Sequence, residues 1–384
     1  MRIALLSGTR TIDDGAIRGT LAYIASLAAA LRDLGHEVHI FKATDSARTS
    51  SYQRVNGVDH HIIAADCRSW SSGTLTQAMI YYIGATESVA GRFDVVHAHH
   101  RALLPALDAI KPRNNASTCL TLHSDAGLSP LNGHSVDNGW NHVKTLDGVM
   151  ATSKLLCDKL VDRLDIPRTI VEVAYPGVDQ KKHSRWVDQR KIKEQLWIAL
   201  DEPMILFVGE LVRHLGPDLL LEASFEAMQR FPGLKLVFAG DGPLSPYLHE
   251  RAKVLGIYPS ARFLGLTSED RIIELYNACD VVCIPARAGN VSQTVLEAWC
   301  AGKPTIVTQQ VLPEFFEPFA DGFVSSPDVL SLAEQLQHCV TNRDHSREIG
   351  KHVWQKVDLE LSWTAIARKS ERIYQNTING RRVP

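Results

Sequence analysis

The chain has 384 residues, of which 45% are hydrophobic and 22% are charged, and its formal net charge at pH 7 is −2. This length predicts two domains, and the composition is typical of a soluble globular protein. Because a near-neutral chain matches no polyanion, we expect no nucleic-acid partner.

The seven cysteines are odd in number and scattered, and several lie in apolar runs such as 279–283. This pattern predicts buried free thiols in a reducing compartment rather than disulfides or a zinc site. The apolar run at the start of the chain is too short for a signal peptide or a membrane span. We therefore expect a cytoplasmic protein whose membrane contact would at most be peripheral, and we leave its oligomeric state open.

In the first half, short apolar runs alternate with amphipathic stretches. The apolar runs predict strands at 2–6, 37–41, 94–98, 118–123, 148–152 and 169–174. Helical periodicity predicts helices over 20–34, over 101–110, near 138–146 and from Ser153 onward. Such alternation indicates an α/β domain in which helices cover both faces of a parallel sheet.

The segment 180–200 is rich in Lys, Arg, Gln and His and interrupts this rhythm. We interpret it as the connection between domains followed by one amphipathic helix. The rhythm then resumes with strands at 204–208, 235–239, 261–264, 281–284 and 305–308. Helices are predicted over 216–230, 245–255, 268–277 and 293–301. The second half therefore predicts another Rossmann-like domain, with ligands expected beyond the carboxyl ends of its strands.

Short motifs follow the predicted strands in a fixed order. In the second half they are 208–216 (VGELVRHLG), 239–243 (AGDGP), 263–265 with 275–280, and 296–304 (LEAWCAGKP). In the first half they are 35–38 (GHEV), 94–99 (DVVHAH), 122–123 and 176–179 (PGVD). Together these motifs resemble those of retaining glycosyltransferases of the family 4 type, and the resemblance covers essentially the whole chain.

The resemblance implies a GT-B fold, in which two Rossmann-like domains face each other across a cleft. Residues 1–179 would form the acceptor-side domain, joined by a returning helix over 362–384, and residues 180–361 would bind the nucleotide sugar. The implied reaction moves a sugar from a nucleoside diphosphate sugar to a hydroxyl of a carbohydrate, lipid-linked or small-molecule acceptor, with retention of configuration. The resemblance implies neither a metal nor another cofactor.

The resemblance also implies a donor site in the second domain. Glu297 would accept hydrogen bonds from the donor ribose, while the N-terminus of its helix would face the diphosphate. The other interpretation of Glu297 is a solvated helix residue. The remaining implied donor-binding positions are Gly209, Glu210, His214, Gly240, Gly242, Gly289, Asn290, Val291, Ser292, Gln293 and Thr294, with Ser292 or Gln293 near the helix N-cap.

Two positions of the first domain extend the implied donor site. Arg18 and Gly19 occupy the place of the family's Gly-Gly loop, where glycine lets the backbone approach a phosphate. Arg18 would add a positive charge there, or it is an exposed loop residue before a helix. His123 ends a predicted strand, and the resemblance implies that it positions the donor sugar or the acceptor. The alternative for His123 is a hydrogen-bonded core histidine.

Candidate acceptor residues follow strands of the first domain. Asp125 and Trp140 lie in or beside a polar segment after a strand end, and His99 ends another strand. His99 belongs to a group with His97 and His100 that lacks an acidic or cysteine partner nearby in sequence. We therefore expect no metal there.

Three residues depart from the family pattern at the donor site. Glu210 stands where the family has an arginine, Leu215 where it has a lysine, and Gly289 where it has the first glutamate of a pair. A carboxylate at about 5 Å from a phosphate charge costs about 3 kcal/mol at an effective dielectric constant near 20. We therefore predict that another cation faces the diphosphate, with Arg213 as the leading candidate and His214 and Arg287 as others.

These departures leave alternative functions open. The chain could be a non-catalytic relative that binds a partner transferase or a sugar, or it could be a nucleotide-sugar epimerase with the same architecture. An oxidoreductase would carry G-x-G-x-x-G after the first strand, which Ser7-Gly8-Thr9-Arg10 does not provide. A P-loop enzyme is excluded in the same way because no Gly-Lys-Ser/Thr end is present.

Overall fold

The computed structural model describes residues 1–8, 15–44, 49–64, 72–123, 140–184, 186–289 and 291–380. The chain divides into two compact units, Met1–Gly177 with Trp363–Pro384 and Val178–Ser362. Each unit contains a parallel or mostly parallel sheet with helices in its connections. This arrangement confirms the predicted α/β class with two Rossmann-like units.

The first unit is built on an eight-stranded sheet of order β3-β4-β2-β1-β5-β6-β7-β8. Its strands are β1 Arg2–Gly8, β2 Glu37–Thr44, β3 Ser51–Val55, β4 Val58–Ala64, β5 Val95–Ala98, β6 Ser117–Leu122, β7 Gly148–Ala151 and β8 Val171–Val173. All neighbouring pairs are parallel except β3 with β4. β5, β6 and β7 are buried at every position, as expected for strands covered on both faces.

Helices pack against both faces of this sheet. They include α1 Gly15–Asp33, α2 Ser72–Ala90, α3 Leu104–Asn114 and α4 Lys154–Leu164. One apolar cluster joins side chains of α2, α3 and α4 to the sheet, and a second joins side chains of α1 to the opposite face. Side chains at alternate strand positions therefore enter different cores, which explains the continuous apolar runs in the sequence.

The second unit is built on a six-stranded, wholly parallel sheet of order β11-β10-β9-β12-β13-β14. Its strands are β9 Met204–Val208, β10 Lys235–Ala239, β11 Ala261–Phe263, β12 Val281–Ile284, β13 Thr305–Thr308 and β14 Gly322–Ser325. Its helices are α5 Gln180–His183, α6 Gln189–Gln195, α7 Pro217–Met228, α8 Ser245–Val254, α9 Glu269–Ala278, α10 Ser292–Cys300, α11 Val329–Thr341 and α12 Arg343–Lys356.

The last helix, α13 Trp363–Gly380, belongs to the first unit. It packs against α1 and contributes the buried Tyr374 to the core. At its start the Trp363 ring lies so close to Gly177 that a Cβ there would be 2.7 Å from it. The returning helix implied by the family resemblance is thus present. Of the helices that the structure describes, none combines the length and apolar character needed to cross a membrane.

Several elements were not predicted from the sequence. They are the β3–β4 hairpin, α2, β14, α11 and α12. All five residues of β3 are exposed, so this strand lacks the alternation of apolar and polar residues that marks a half-buried strand. The predicted helix over 101–110 begins as a 3₁₀ turn at Arg101–Leu103 before α3, and the described part of 138–146 is a 3₁₀ helix at Trp140–Thr145.

The cysteine prediction can be compared with six of the seven residues, because Cys67 lies outside the described part of the chain. The six are buried and free, which confirms the prediction for them. Burial raises the pKa of the Cys157 thiol to about 11 and that of Cys279 to about 12. These thiols therefore remain protonated near neutral pH and behave as core residues.

Candidate functional site

Two glycine turns meet at the carboxyl edge of the second sheet, one after β9 and one after β10. Gly209 and Gly240 have φ angles of 149° and 144°. A Cβ at Gly240 would overlap the carbonyl oxygen of Gly209, and a Cβ at Gly242 would lie 2.7 Å from that of Leu211. The Leu211 amide in turn donates to the Asp241 carbonyl at 2.9 Å. Glycine is therefore required because the two backbones touch, whatever ligand approaches them.

The turn after β9 carries both the unexpected acid and the predicted cation. Glu210, Arg213 and His214 are all exposed. Within the described part of the chain, the side chains of Glu210 and Arg213 form no hydrogen bond or ion pair. Arg213 opens the 3₁₀ turn Arg213–Leu215. Its guanidinium is therefore available to an anionic ligand. That this ligand is the donor diphosphate stays a prediction.

Arg287, the other candidate cation, is already paired. Its guanidinium donates to both carboxylate oxygens of Asp218, at 2.9 and 3.0 Å, and to the Arg213 carbonyl at 2.7 Å. Its backbone amide donates to the His214 carbonyl at 2.7 Å. Arg287 thus ties the loop after β12 to the turn after β9, and Asp218 balances its charge. This bidentate pairing argues against Arg287 as the cation that faces a diphosphate.

The N-terminus of α10 follows the loop after β12. Val291 is the N-cap residue and Ser292 is the first helical residue, so Ser292 lies next to the N-cap, as predicted. The N-terminus of a helix favours anions because its first amides point along the helix axis and the helix dipole is positive there. The start of α10, after the loop that follows β12, is therefore suited to bind a phosphate group.

Gly289, in the same loop, stands where the family has the first glutamate of a pair. Gly289 has a φ of 109°, and a Cβ built on it would meet open space. A larger side chain would therefore be opposed by the backbone conformation rather than by neighbouring atoms. Asn290, the next predicted donor-binding residue, lies outside the described residues.

Glu297 lies one turn into α10 and is held by two hydrogen bonds. The Tyr276 hydroxyl donates to its Oε2 at 3.2 Å, and the Gln293 amide donates to its Oε1 at 3.0 Å. Tyr276 is fully buried, and burial together with Glu297 raises its pKa well above the usual range, so that the hydroxyl stays protonated. This environment differs from that of a solvated helix residue. Tyr276 belongs to the motif over 275–280, but the sequence pattern does not indicate its contact with Glu297.

In the first unit, His97 lies within β5, His99 follows β5 and His123 follows β6. His97 and His99 are buried, and His123 is partly exposed. His97 contacts the Tyr374 hydroxyl at 2.7 Å through Nδ1 and the Thr121 hydroxyl at 2.8 Å through Nε2. Nδ1 of His99 lies 3.3 Å from Nε2 of His123. Sequence reasoning did not predict this contact between the two strand ends.

Burial keeps these imidazoles neutral. It lowers the pKa of His97 to about 3 and that of His123 to about 4, and it lowers the pKa of His99 well below its usual value. The neighbouring histidines add to this effect in each case. Near pH 7 His123 therefore acts as a neutral hydrogen-bonding group and not as a cation.

Two aromatic side chains, Tyr23 and Trp363, form an aromatic wall beside His123. The ring of Tyr23 meets it edge-on with centroids 4.7 Å apart, and Trp363 meets Tyr23 in the same way at 5.0 Å. Tyr23 comes from α1 and Trp363 from α13, so that two helices distant in sequence place His123. Neither aromatic residue was predicted as part of the site, since only the packing of α1 against α13 brings them together.

The other predicted residues of the first unit are distributed as follows. Arg18 and Gly19 lie within α1, which begins at Gly15, so the predicted loop ahead of a helix at residue 20 is wrong. Trp140 begins a 3₁₀ helix. Asp125 lies outside the described residues.

One group of potential metal ligands lies in the described part of the chain, in the first unit. Glu37, His39 and Asp59 bring ligand atoms within 4.8 Å of one another at the amino-end edge of the first sheet. Arg2 pairs with Glu37 at 3.0 Å, and the Tyr52 hydroxyl donates to Asp59 at 2.6 Å. Both carboxylates therefore already have side-chain partners, and the group forms a hydrogen-bonded network. His100, at the other edge, is exposed and accepts from a backbone amide to cap a 3₁₀ turn.

Comparison with known proteins covers both units. Residues 17–182 match the family model described as Glycosyltransferase Family 4, and residues 188–354 match the model described as Glycosyl transferases group 1. The chain is 25% identical over 385 residues to an uncharacterized glycosyltransferase of Methanocaldococcus jannaschii, covering 94% of each chain. It is also 25% identical over 423 residues to the D-inositol 3-phosphate glycosyltransferase of Corynebacterium aurimucosum, covering 99% of this chain and 97% of the relative.

Among solved structures, Anabaena HepE in complex with UDP superposes with a TM-score of 0.67 at 18% identity, covering 98% of this chain and 100% of that one. A likeness at this identity concerns the fold. Taken with the two family models, which follow one another along the chain, it shows that the protein belongs to the group 1 glycosyltransferases of the GT-B fold.

Proposed function

We propose that this glycosyltransferase takes its sugar from a nucleoside diphosphate sugar, with UDP-glucose as the first donor to test, and transfers it with retention to an acceptor hydroxyl. The observation that carries the donor proposal is the carboxylate of Glu297, oriented by Tyr276 and Gln293 one turn into α10. A fixed carboxylate suits the two hydroxyls of a ribose, and the positive end of the helix dipole suits the adjacent phosphates.

Charge balance at the diphosphate supports a specific role for Arg213. The turn that carries it also carries Glu210, and Arg287 in the neighbouring loop is paired with Asp218. Arg213 would therefore provide the positive side chain that stabilises the leaving diphosphate, together with the helix amides. Retention is proposed from the family resemblance, with the leaving group stabilised and no covalent intermediate on the enzyme.

For the acceptor we propose a small polyol or its phosphate. The support is the name of the corynebacterial relative, which acts on D-inositol 3-phosphate, and the neutral His123 beside an aromatic wall in the first unit. Neutral imidazoles and aromatic rings are suited to hydroxyl groups and the apolar faces of rings. D-inositol 3-phosphate is therefore the first acceptor to test.

The donor proposal is tested with UDP-, GDP-, ADP- and TDP-sugars. We expect at least one to raise the melting temperature and to release its nucleotide, with faster release in the presence of the correct acceptor. Glu297→Gln should weaken nucleotide binding about 10- to 100-fold, because hydrogen bonds to a charged group are lost. Absence of binding by every donor would refute the proposal.

The control is Glu222→Gln in the same unit. Glu222 is paired with Arg251, which donates to its two oxygens at 2.5 and 3.0 Å. Removing this carboxylate changes the charge by the same amount and should leave nucleotide affinity unchanged. An equal loss in both variants would mean that Glu297 acts through general electrostatics or stability and not through contact.

A further inference from the structure

The contact between His99 and His123 restricts the protonation of both rings. Nδ1 of His99 faces Nε2 of His123 at 3.3 Å. A hydrogen bond across this distance needs one proton, since two protons would repel and two lone pairs would not bond. Both rings are neutral because burial disfavours the imidazolium form. Each ring therefore carries one proton, and the position of one determines the position of the other.

Two arrangements satisfy this condition. In the first, His99 donates from Nδ1, so that His99 Nε2 is a bare acceptor and His123 carries its proton on Nδ1. In the second, His123 donates from Nε2, so that His99 Nε2 carries a proton and His123 Nδ1 is a bare acceptor. The two outer nitrogens thus always have opposite hydrogen-bonding character.

The surroundings of His99 distinguish between the two arrangements. His99 is 2% exposed, and its Nε2 has no hydrogen-bond partner among the described residues. A buried N–H without an acceptor is rarer than an acceptor that is not used. The first arrangement leaves only an unused lone pair at this nitrogen, whereas the second would leave an unpaired N–H.

His97 shows that burial alone does not impose this restriction. It lies two residues before His99, within β5, and the two rings are tilted with centroids 4.2 Å apart. Both of its nitrogens face hydroxyl groups, those of Tyr374 and Thr121. Because a hydroxyl can donate or accept, His97 is satisfied in either tautomer. Among His97, His99 and His123, it is the contact between His99 and His123 that restricts the proton position.

We propose that His99 is a positioning residue, which donates from Nδ1 to His123 and thereby holds His123 as an Nδ1–H donor to an oxygen of the sugar or the polyol substrate. The inference rests on the proposed function for the identity of that substrate. This role of His99 explains how the uncharged His123 presents a hydrogen-bond donor at a defined nitrogen. It does not require contact with the substrate.

Two substitutions at residue 99 separate this role from a structural one. The amide of His99→Asn can occupy the place of Nδ1 and still donate to His123, whereas that of His99→Gln lies further out, near the place of Nε2. The full-length protein, labelled with ¹⁵N-histidine, is examined without ligand by long-range ¹H–¹⁵N NMR. We expect His123 to carry its proton on Nδ1 in the wild type and in His99→Asn, and to shift toward Nε2–H in His99→Gln. His97→Gln should leave the tautomer of His123 unchanged.

The inference is overturned if His123 carries its proton on Nε2 in the wild type, or if His99→Gln leaves its tautomer unchanged. A second measurement follows UDP release from UDP-glucose, with and without D-inositol 3-phosphate. His99→Gln should lower kcat/KM about three- to tenfold relative to His99→Asn, in keeping with the loss of one positioned hydrogen bond. A loss only with the polyol present assigns the oxygen to the acceptor, and a loss in both arms assigns it to the donor sugar. If the wild type uses none of the nucleotide sugars, the proposed function fails, while the NMR result still decides the role of His99.

Discussion

Glu297 and Arg213 differ in how the structure holds them. Both oxygens of Glu297 accept a hydrogen bond from a neighbouring side chain, whereas Arg213 projects from an exposed turn. A carboxylate that is held in place loses little conformational entropy when a ligand binds. An exposed arginine loses more but can follow a leaving diphosphate. The donor site is therefore proposed to combine one fixed recognition group with one adaptable charge.

Tyr276→Phe tests whether the orientation of Glu297 matters. The change removes the hydroxyl that donates to Glu297 Oε2 and leaves the ring in the core. We expect nucleotide affinity to fall about three- to tenfold, and the free energy of unfolding to fall by about 1 kcal/mol. Titration calorimetry with UDP and urea denaturation measure the two effects.

Tyr374→Phe is the matched control for this prediction. It removes an equally buried hydroxyl, the partner of His97 in the first unit. It should lower the free energy of unfolding by a similar amount and leave UDP affinity unchanged. Equal effects of both variants on UDP affinity would show that the Tyr276 hydroxyl acts only through stability.

Arg213→Ala tests the charge balance at the phosphates. Since Arg213 is the exposed cation in this turn, its removal should weaken UDP binding about tenfold or more, in line with the loss of a charge-assisted contact. Binding of uridine, which has no phosphate, should change less than twofold on the same grounds. Titrations with both ligands measure the difference, and an equal loss for UDP and uridine would contradict the assigned role.

At the scale of elements, the glycine turns after β9 and β10 act as one unit. Their backbones are so close that Gly240 and Gly242 admit no side chain, and the Leu211 and Leu244 amides join them further. Two neighbouring strands therefore end in turns whose backbones are in direct contact, with no side chain between them. Ligands of parallel sheets bind beyond the carboxyl ends of the strands, which is where these turns lie.

Gly240→Ala tests this element. The new Cβ would overlap the Gly209 carbonyl at a φ of 144°, so one of the two turns must move. We expect a loss of about 2–3 kcal/mol in the free energy of unfolding, from overpacking and backbone strain. Gly233→Ala, where a Cβ meets no atom within 4 Å, should change it by less than about 0.5 kcal/mol. Urea denaturation compares them, and similar losses would show that the close approach is not what requires glycine.

At the scale of the whole molecule, neutral histidines in the first unit affect the response to acid. The pKa of His97 is lowered from 6.5 to about 3 because the ring is buried. Between these two values the unfolded chain binds a proton that the folded chain does not. Stability therefore increases with pH through this window and decreases as the pH is lowered from about 6.5. Burial lowers the pKa of His123 and of His61 to about 4. These two histidines therefore also make the folded state less stable as the pH is lowered.

His97→Gln measures the contribution of one such group. Glutamine does not titrate, so the variant should lose less stability than the wild type between pH 6 and pH 4. The difference should be about 1 kcal/mol per pH unit for one proton. The free energy of unfolding from urea denaturation at several pH values measures it. Identical slopes for the two proteins would mean that His97 is not held neutral in the folded state.

Much of the architecture could be predicted from the sequence, because buried strands and amphipathic helices leave local periodic patterns. Every strand predicted in either half is present, with ends shifted by a few residues. The exposed β3 and the elements between 50 and 90 were not predicted, since exposed or irregular patterns carry little periodic signal. The turns at Gly209 and Gly240 could also be predicted, because only glycine adopts their backbone conformation easily.

The sequence by itself thus determined the alternation of strands and helices, the positions of the glycine turns and the family. Only the tertiary structure decided which side chains meet. His99 and His123 are 24 residues apart, Asp218 and Arg287 are 69 apart, and Tyr276 and Glu297 are 21 apart. The physical reason is that periodicity depends on neighbours along the chain, whereas these contacts depend on strand order and on the register of parallel pairs.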